Sequence, residues 1–191
     1  MAYDPKKVIN IALKEVGYLE KKNGDSRYLN DKTKNAGMAN YTKYGKEMHE
    51  LYPKTMDYPA AWCDCFVDWC FYKAYGYNNA MKIIGGNFDD YTVNSAGLYK
   101  NKKAWHIMNP KVGDQIFFKN SAGKICHTGI VYAVDSKYVY TVEGNTIKYG
   151  VPTDTKGVLT LHTATYNESN ETIEEQNIYD SGNSVIYTRI K

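Results

Sequence analysis

Several things that would narrow the function of this chain at once are missing from it. It has no stretch of about 18 apolar residues, the length a membrane-crossing helix requires, so no membrane insertion is expected. The opening residues, Met1-Ala2-Tyr3-Asp4-Pro5-Lys6-Lys7, contain no apolar core of a secretory signal, and export by the general route is not expected. An excess of one charge is also lacking. The net charge of +3 is small and the Lys and Arg residues are scattered, apart from pairs such as Lys21-Lys22 and Lys102-Lys103, which argues against nucleic acid as a partner. Nor is there a disulfide framework: of the 4 cysteines, at 63, 65, 70 and 126, a Cys63–Cys65 bridge would be strained, and free thiols are expected. Internal repeats and Pro/Gly/Ser-rich linkers are absent too, so residues 1–191 are expected to form a single domain.

What is present suits a globular core: 43% hydrophobic and 24% charged residues in 191. The 19 tyrosines stand out. A tyrosine has a flat apolar face and a polar tip, which suits a sheet surface and equally suits the binding of sugars or peptides.

Along the chain, Asp4-Pro5 followed by Val8, Ile9, Ala12, Leu13 and Val16 predicts a capped amphipathic helix ending at Gly17. Residues 18–58 are polar and predict an irregular segment with short helices, one over 41–51, of the kind that forms a wall of a groove. After Pro59, Phe66, Val67, Cys70, Phe71 and Ala74 recur on one helical face, and Tyr75-Gly76 supplies a stop. A loop-rich stretch follows, with a short helix expected over 96–102. From Asn109-Pro110 the pattern changes to period two, with strands expected over 115–119, 125–134, 137–142, 158–163 and 184–190. A tight hairpin is expected across Asp135-Ser136, and residues 166–177 suggest a solvated excursion. Helices first and a meandering antiparallel sheet afterwards is an α+β order.

Two positions on this framework attract chemistry. Cys63 falls in the first turn of the central helix, where unpaired N–H groups and the helix dipole favour thiolate, the nucleophilic form. Cys65 and Cys70 are expected as packing residues. On the hairpin, reflection about Asp135 puts His127 opposite Glu143 if the loop has an odd number of residues, with Asn145 on the same face; an even loop would spoil this. A histidine held by a carboxylate or amide and facing a helix-borne cysteine is an arrangement for nucleophilic catalysis. Cys126 alternates with His127 and points the other way, while His49, His106 and His162 have no comparable partners. Asp114 is expected as a turn residue. Cys63-x-Cys65 is too tight for the usual zinc-ligand gap, and no metal or cofactor is expected.

Four segments carry a resemblance: Trp62-Cys63-Asp64-Cys65-Phe66-Val67, Gly113-Asp114-Gln115-Ile116-Phe117-Phe118, His127-Thr128-Gly129-Ile130-Val131 and Val142-Glu143-Gly144-Asn145-Thr146. In order and spacing they resemble the CHAP (cysteine, histidine-dependent amidohydrolase/peptidase) family of the papain-like NlpC/P60 group, over residues 58–146. The N-terminal helix resembles the leader of phage-endolysin members. The resemblance implies a papain-like α+β fold and bacterial peptidoglycan as substrate. A monomer is expected, made in the cytoplasm and released to the wall by lysis or another route. It implies Cys63 as nucleophile, His127 as general base, and Glu143 and Asn145 as orienting residues. Where many such domains carry an Asp two residues after the nucleophile, this chain has Cys65. Asp57 is the one carboxylate just before the helix, where some phage members have an Asp-x-Asp calcium loop, so calcium is not expected. A non-catalytic wall-binding module, or a papain-like transacylase or deamidase acting on another substrate, are the alternatives. The first would not need a reactive thiol, and the second would leave purified walls intact.

Overall fold

A computed structural model describes residues 3–107, 109–147, 155–164 and 185–188. The N-terminal helix α1 (Pro5–Lys14) starts as its sequence dictates. The Asp4 carboxylate accepts from the Lys6 N–H, and Pro5 occupies a position where no N–H is needed. Its Val8, Ile9 and Ala12 are buried, and it packs on the central helix. At Gly17 the backbone takes φ +87°, and the extended chain that follows is hydrogen-bonded far along the sequence, Gly17 N–H to Val158 O and Glu20 N–H to Lys156 O. Helices α2 (Ser26–Leu29) and α3 (Lys43–Leu51) follow, with Asp25 and Thr42 as their N-caps; the Thr42 hydroxyl accepts from Gly45 N–H at 2.9 Å.

The central helix α4 (Cys63–Tyr75) differs from expectation in one respect. Every residue from Cys63 through Phe71 is buried, so the helix is enclosed all round and not along one face. It packs against α1, α3, α5 (Tyr77–Ile83), α6 (Thr92–Asn101) and two strands of the sheet. Gly76, at φ 72°, both ends α4 and starts α5, its carbonyl accepting from Ala80 N–H. That short helix falls where the sequence predicted loop, because one glycine serves as stop and start and leaves no polar interval between. Helix α6 also begins four residues earlier than the expected 96–102.

The strands are β1 (Trp105–His106), β2 (Gln115–Lys119), β3 (Ile125–Val134), β4 (Tyr138–Thr146), β5 (Gly157–Ala164) and β6 (Val185–Thr188). They form an antiparallel sheet in the order β1-β6-β2-β3-β4-β5. The two-residue β1 was not predicted, and β4 continues to Thr146, past the expected 137–142. The excursion over 166–177 lies outside the described residues. Helices in the N-terminal part and strands in the C-terminal part make the fold α+β. Phe117, Ile130 and Val142 join the helices in the main core, while Ile116, Phe118, Val131 and Val139 form a second, smaller cluster. Among the described residues no helix is long and apolar enough to cross a membrane.

Candidate active site

The hairpin between β3 and β4 places the first two site residues. Asp135 Oδ1 accepts from the N–H groups of Lys137 and Tyr138, and Asp135 N–H pairs with Tyr138 O, closing a turn with Ser136 and Lys137 at its tip. The loop is therefore even, and Val134 pairs with Val139. Left uncorrected, that register would send His127 and Glu143 to opposite faces. A β-bulge corrects it. The pairing steps from Val131↔Thr141 to Ala133↔Tyr140, so Tyr132 is one extra residue on β3 and parity is restored.

Direct opposition of His127 and Glu143 is not what results. Beyond the bulge the ladder runs to Ile130↔Val142, and its continuation sets Gly129 against Glu143. A Cβ on Gly129 would come within 2.5 Å of Glu143 Cγ, so the bare glycine leaves the carboxylate room to cross diagonally to the histidine. His127 Nε2–H donates to Glu143 Oε2 at 2.7 Å, and Glu143 Oε1 accepts from the Thr141 hydroxyl at 2.5 Å. The Phe118 ring lies against the imidazole, centroids 5.6 Å apart.

Cys63 opens α4. Its preceding residue, Trp62, gives the helix no side-chain cap, and the first helical hydrogen bond runs from Phe66 N–H to Trp62 O. The N–H groups of the first turn therefore have no partner within the helix. Trp62 is itself fixed: its Nε1–H donates to the buried Glu20 carboxylate at 2.9 Å, and its ring stacks on Tyr44. Gly144 lets β4 approach this corner, since a Cβ there would come within 2.8 Å of Phe66 and Trp62. The thiol lies near enough to the imidazole to be one of the groups that raise its pKa. With Nε2 taken by Glu143, Nδ1 is the ring nitrogen left for the thiol.

All three groups are nearly dry: Cys63 is 6% exposed, His127 4% and Glu143 2%. Burial alone would push the imidazolium of His127 down. The neighbouring Cys63 and the hydrogen bond and negative charge of Glu143 outweigh it and hold the histidine well above its usual range.

The other predicted positions are placed as follows. Asn145 lies on β4 at φ 59°; its Oδ1 is buried without a hydrogen-bond partner among the described residues, and the ring nitrogen expected to need an acceptor is already served by Glu143. Cys65 and Cys70 are buried, and burial pushes both thiols up. Cys126 is exposed, and all four cysteines are free. His49 binds the Met56 carbonyl through Nδ1, and Asp114 Oδ2 accepts from Lys111 N–H within the turn before β2. Among the described residues no group of three or more His, Cys, Asp or Glu side chains could hold a metal ion.

Two parts of the arrangement escaped the sequence reading. Thr141 could have been found, because it stands two residues before Glu143 on the same face of a strand. Gln115 left a fainter signal, as the polar residue in an otherwise apolar strand segment, Gln115-Ile116-Phe117-Phe118. Buried at 0% exposure, it reaches both α4 and β3.

A thiol at an open helix start, against an imidazole backed by a carboxylate, is the donor set of thiol-dependent acyl transfer. Over the span that carries it, residues 53–145 match the family model of the CHAP domain, a family of amidases and peptidases. No curated protein and no solved structure matches the chain.

Proposed function

We propose that the protein hydrolyses an amide bond of bacterial peptidoglycan, as an N-acetylmuramoyl-L-alanine amidase or as an endopeptidase of the stem or cross-bridge, through a thioester on Cys63. The observation that carries this reading is the buried chain from Cys63 to His127 to Glu143, with the 2.7 Å bond at its far end. The family match to amidases and peptidases supports it.

In this mechanism His127 Nδ1 takes the thiol proton, and Cys63 sulfur attacks the amide carbonyl. The oxyanion sits against the uncapped first turn of α4, where the Cys63 N–H is one donor. Collapse breaks the C–N bond, and His127 gives its proton to the departing amine. Water, deprotonated by the same imidazole, then attacks the thioester, releasing a carboxylate and the thiol. Throughout, Glu143 balances the imidazolium charge, and Thr141 holds Glu143 in place. Glu143 and Thr141 are both positioning residues, and Asn145 offers its free buried carbonyl to an N–H of the substrate. No metal or cofactor takes part, and the enzyme acts as a monomer on the wall.

Mass spectrometry of muropeptides after digestion of purified walls tests the reading. Free stem peptides with intact glycan strands are expected from an amidase, and shortened or uncrosslinked muropeptides from an endopeptidase. Walls left undigested by folded protein would overturn it. Retained binding would then indicate a wall-binding module, and thiol-dependent turnover of another amide a transacylase or deamidase.

A further inference from the structure

Cys63 and His127 lie on different elements, and the contact between them depends on how α4 is held against β3. A single side chain on a third element, β2, spans the two. Gln115 Nε2 donates to Asp64 Oδ1 at 2.9 Å and to Thr128 Oγ1 at 3.1 Å, while Gln115 Oε1 accepts from the Tyr99 hydroxyl at 2.8 Å. Asp64 is the residue after Cys63, and Thr128 is the residue after His127. The chemistry of the partners fixes which way the amide faces. Thr128 already spends its proton on the Ile116 carbonyl at 2.7 Å, so its oxygen can only accept, and the Asp64 oxygen accepts as well. The NH2 end must therefore face this pair, and the carbonyl end must face the Tyr99 hydroxyl. Gln115, Asp64 and Thr128 are all 0% exposed, so water cannot replace any of these bonds.

We infer that Gln115 is a positioning residue for the proposed reaction: its carboxamide clamps the backbone neighbours of Cys63 and His127 and so sets the distance between nucleophile and base. This rests on the Cys63–His127 reading above. A primary amide supplies two donors and an acceptor on one rigid plane, which no other side chain of this length offers. A carboxylate in its place would set a second acceptor against the Asp64 and Thr128 oxygens, and a leucine would leave both without the donor they share. Displacement of reacting groups by about 1 Å can cost on the order of 100-fold in rate, so a clamp at this position controls activity without touching substrate.

The test reads alkylation of Cys63 by iodoacetamide as a function of pH, localised by peptide mass spectrometry, in full-length wild type, Gln115→Leu, Thr128→Val and Thr128→Ser, with a melting curve for each. Wild type is expected to show an early onset of alkylation at Cys63, ahead of Cys65 and Cys70, because His127 stands ready to take its proton. If wild type lacks that early onset, the Cys–His reading itself fails, whatever Gln115 does. Where wild type shows it, folded Gln115→Leu and Thr128→Val are expected to start later and to react at least about 10-fold more slowly near pH 6, with Thr128→Ser close to wild type. Should Gln115→Leu not fold, the Thr128 pair decides, since Val keeps the shape and Ser keeps the hydroxyl. A wild-type onset in folded Gln115→Leu or Thr128→Val, or a Thr128→Ser variant as slow as Thr128→Val, would overturn the clamp. A purely structural residue would lower the melting temperature and leave the onset where it is.

Discussion

At the scale of single residues, the histidine is governed by two opposing effects. Burial disfavours its charge, and Cys63 and Glu143 together favour that charge more strongly. Its pKa in the folded chain is raised, so the imidazolium persists as pH climbs and is lost only on passing that raised value. The same group adds stability to the fold below its unfolded value of about 6.5, and that contribution disappears as pH rises through the folded one. Replacing Glu143 by Gln keeps a hydrogen-bond acceptor for Nε2 but removes the charge. The expected result is an activity profile whose alkaline limb moves to lower pH, with turnover reduced by about 10- to 100-fold at its optimum. Asn145→Ala should lower the rate with the limbs unmoved. A pH profile of wall digestion checks both, and an unmoved alkaline limb in Glu143→Gln would contradict the role given to the carboxylate. Much of this scale was legible in the sequence. Cys63 could be placed by the helix pattern around it, and His127 with Glu143 by the period of two strands. The choice between Glu143 and Asn145 as the imidazole's partner was only a preference, since a diagonal contact depends on room that Gly129 provides. Thr141 and Gln115 act through other residues, so neither matches a pattern of reactive groups.

At the scale of elements, the hairpin shows how the meeting of His127 with Glu143 is set by one inserted residue. The two-residue tip is the kind that Asp135 closes well, but it gives the wrong parity, and the bulge at Tyr132 restores it. A sequence pattern shows the strands and the turn; it does not show a bulge, because the insertion leaves the local alternation of side chains nearly intact. The expected register therefore failed by two residues although both strands were located. The helical half has a parallel case, with α5 hidden behind a glycine that serves two helices. Gly129 supplies the test at this scale. Its Cβ would collide with Glu143 at 2.5 Å, deep in the sheet, with the strands on both sides fixed by pairing. Gly129→Ala is expected to displace the carboxylate, cost about 1–3 kcal/mol of stability and reduce turnover on the order of 100-fold. Denaturant melts beside kinetic assays would show this, and a variant with full activity would mean that Glu143 does not need its present path.

At the scale of the whole molecule, the fold carries a cost beside the site that the sequence pattern concealed. The central helix was expected to bury one apolar face. Its enclosure on all sides also buries Asp64 and Asp68, one turn apart. Burial pushes the Asp64 carboxyl up to about 7, against modest help from Ser95 and Gln115, and pushes Asp68 up as well, with Asp64 adding to the effect. For Asp64 both folded and unfolded chains hold the proton below about 3.8; between there and about 7 the folded state alone keeps it, so rising pH favours unfolding. Asp64→Asn keeps the oxygen that Gln115 donates to and removes this titration. Its advantage in stability over wild type is expected to be small near pH 4 and to grow to about 4 kcal/mol by pH 7–8. Urea melts across that range would measure it, and a constant difference would show that Asp64 is ionised in the fold throughout. The segments flanking the matched span also belong to this scale: α1 packs on α4, and Glu20 holds the indole beside Cys63, contacts that link residues too far apart for any local pattern to reveal. The account as a whole stands on the nucleophile. Clearing of purified peptidoglycan by wild type, Cys63→Ser and Cys65→Ser, at equal concentration and with melting curves confirming each fold, tests it most directly. The account predicts that wild type and Cys65→Ser clear the walls while Cys63→Ser is slower by at least about 1000-fold with an unchanged melting temperature; clearing by Cys63→Ser, or loss in Cys65→Ser alone, would contradict it.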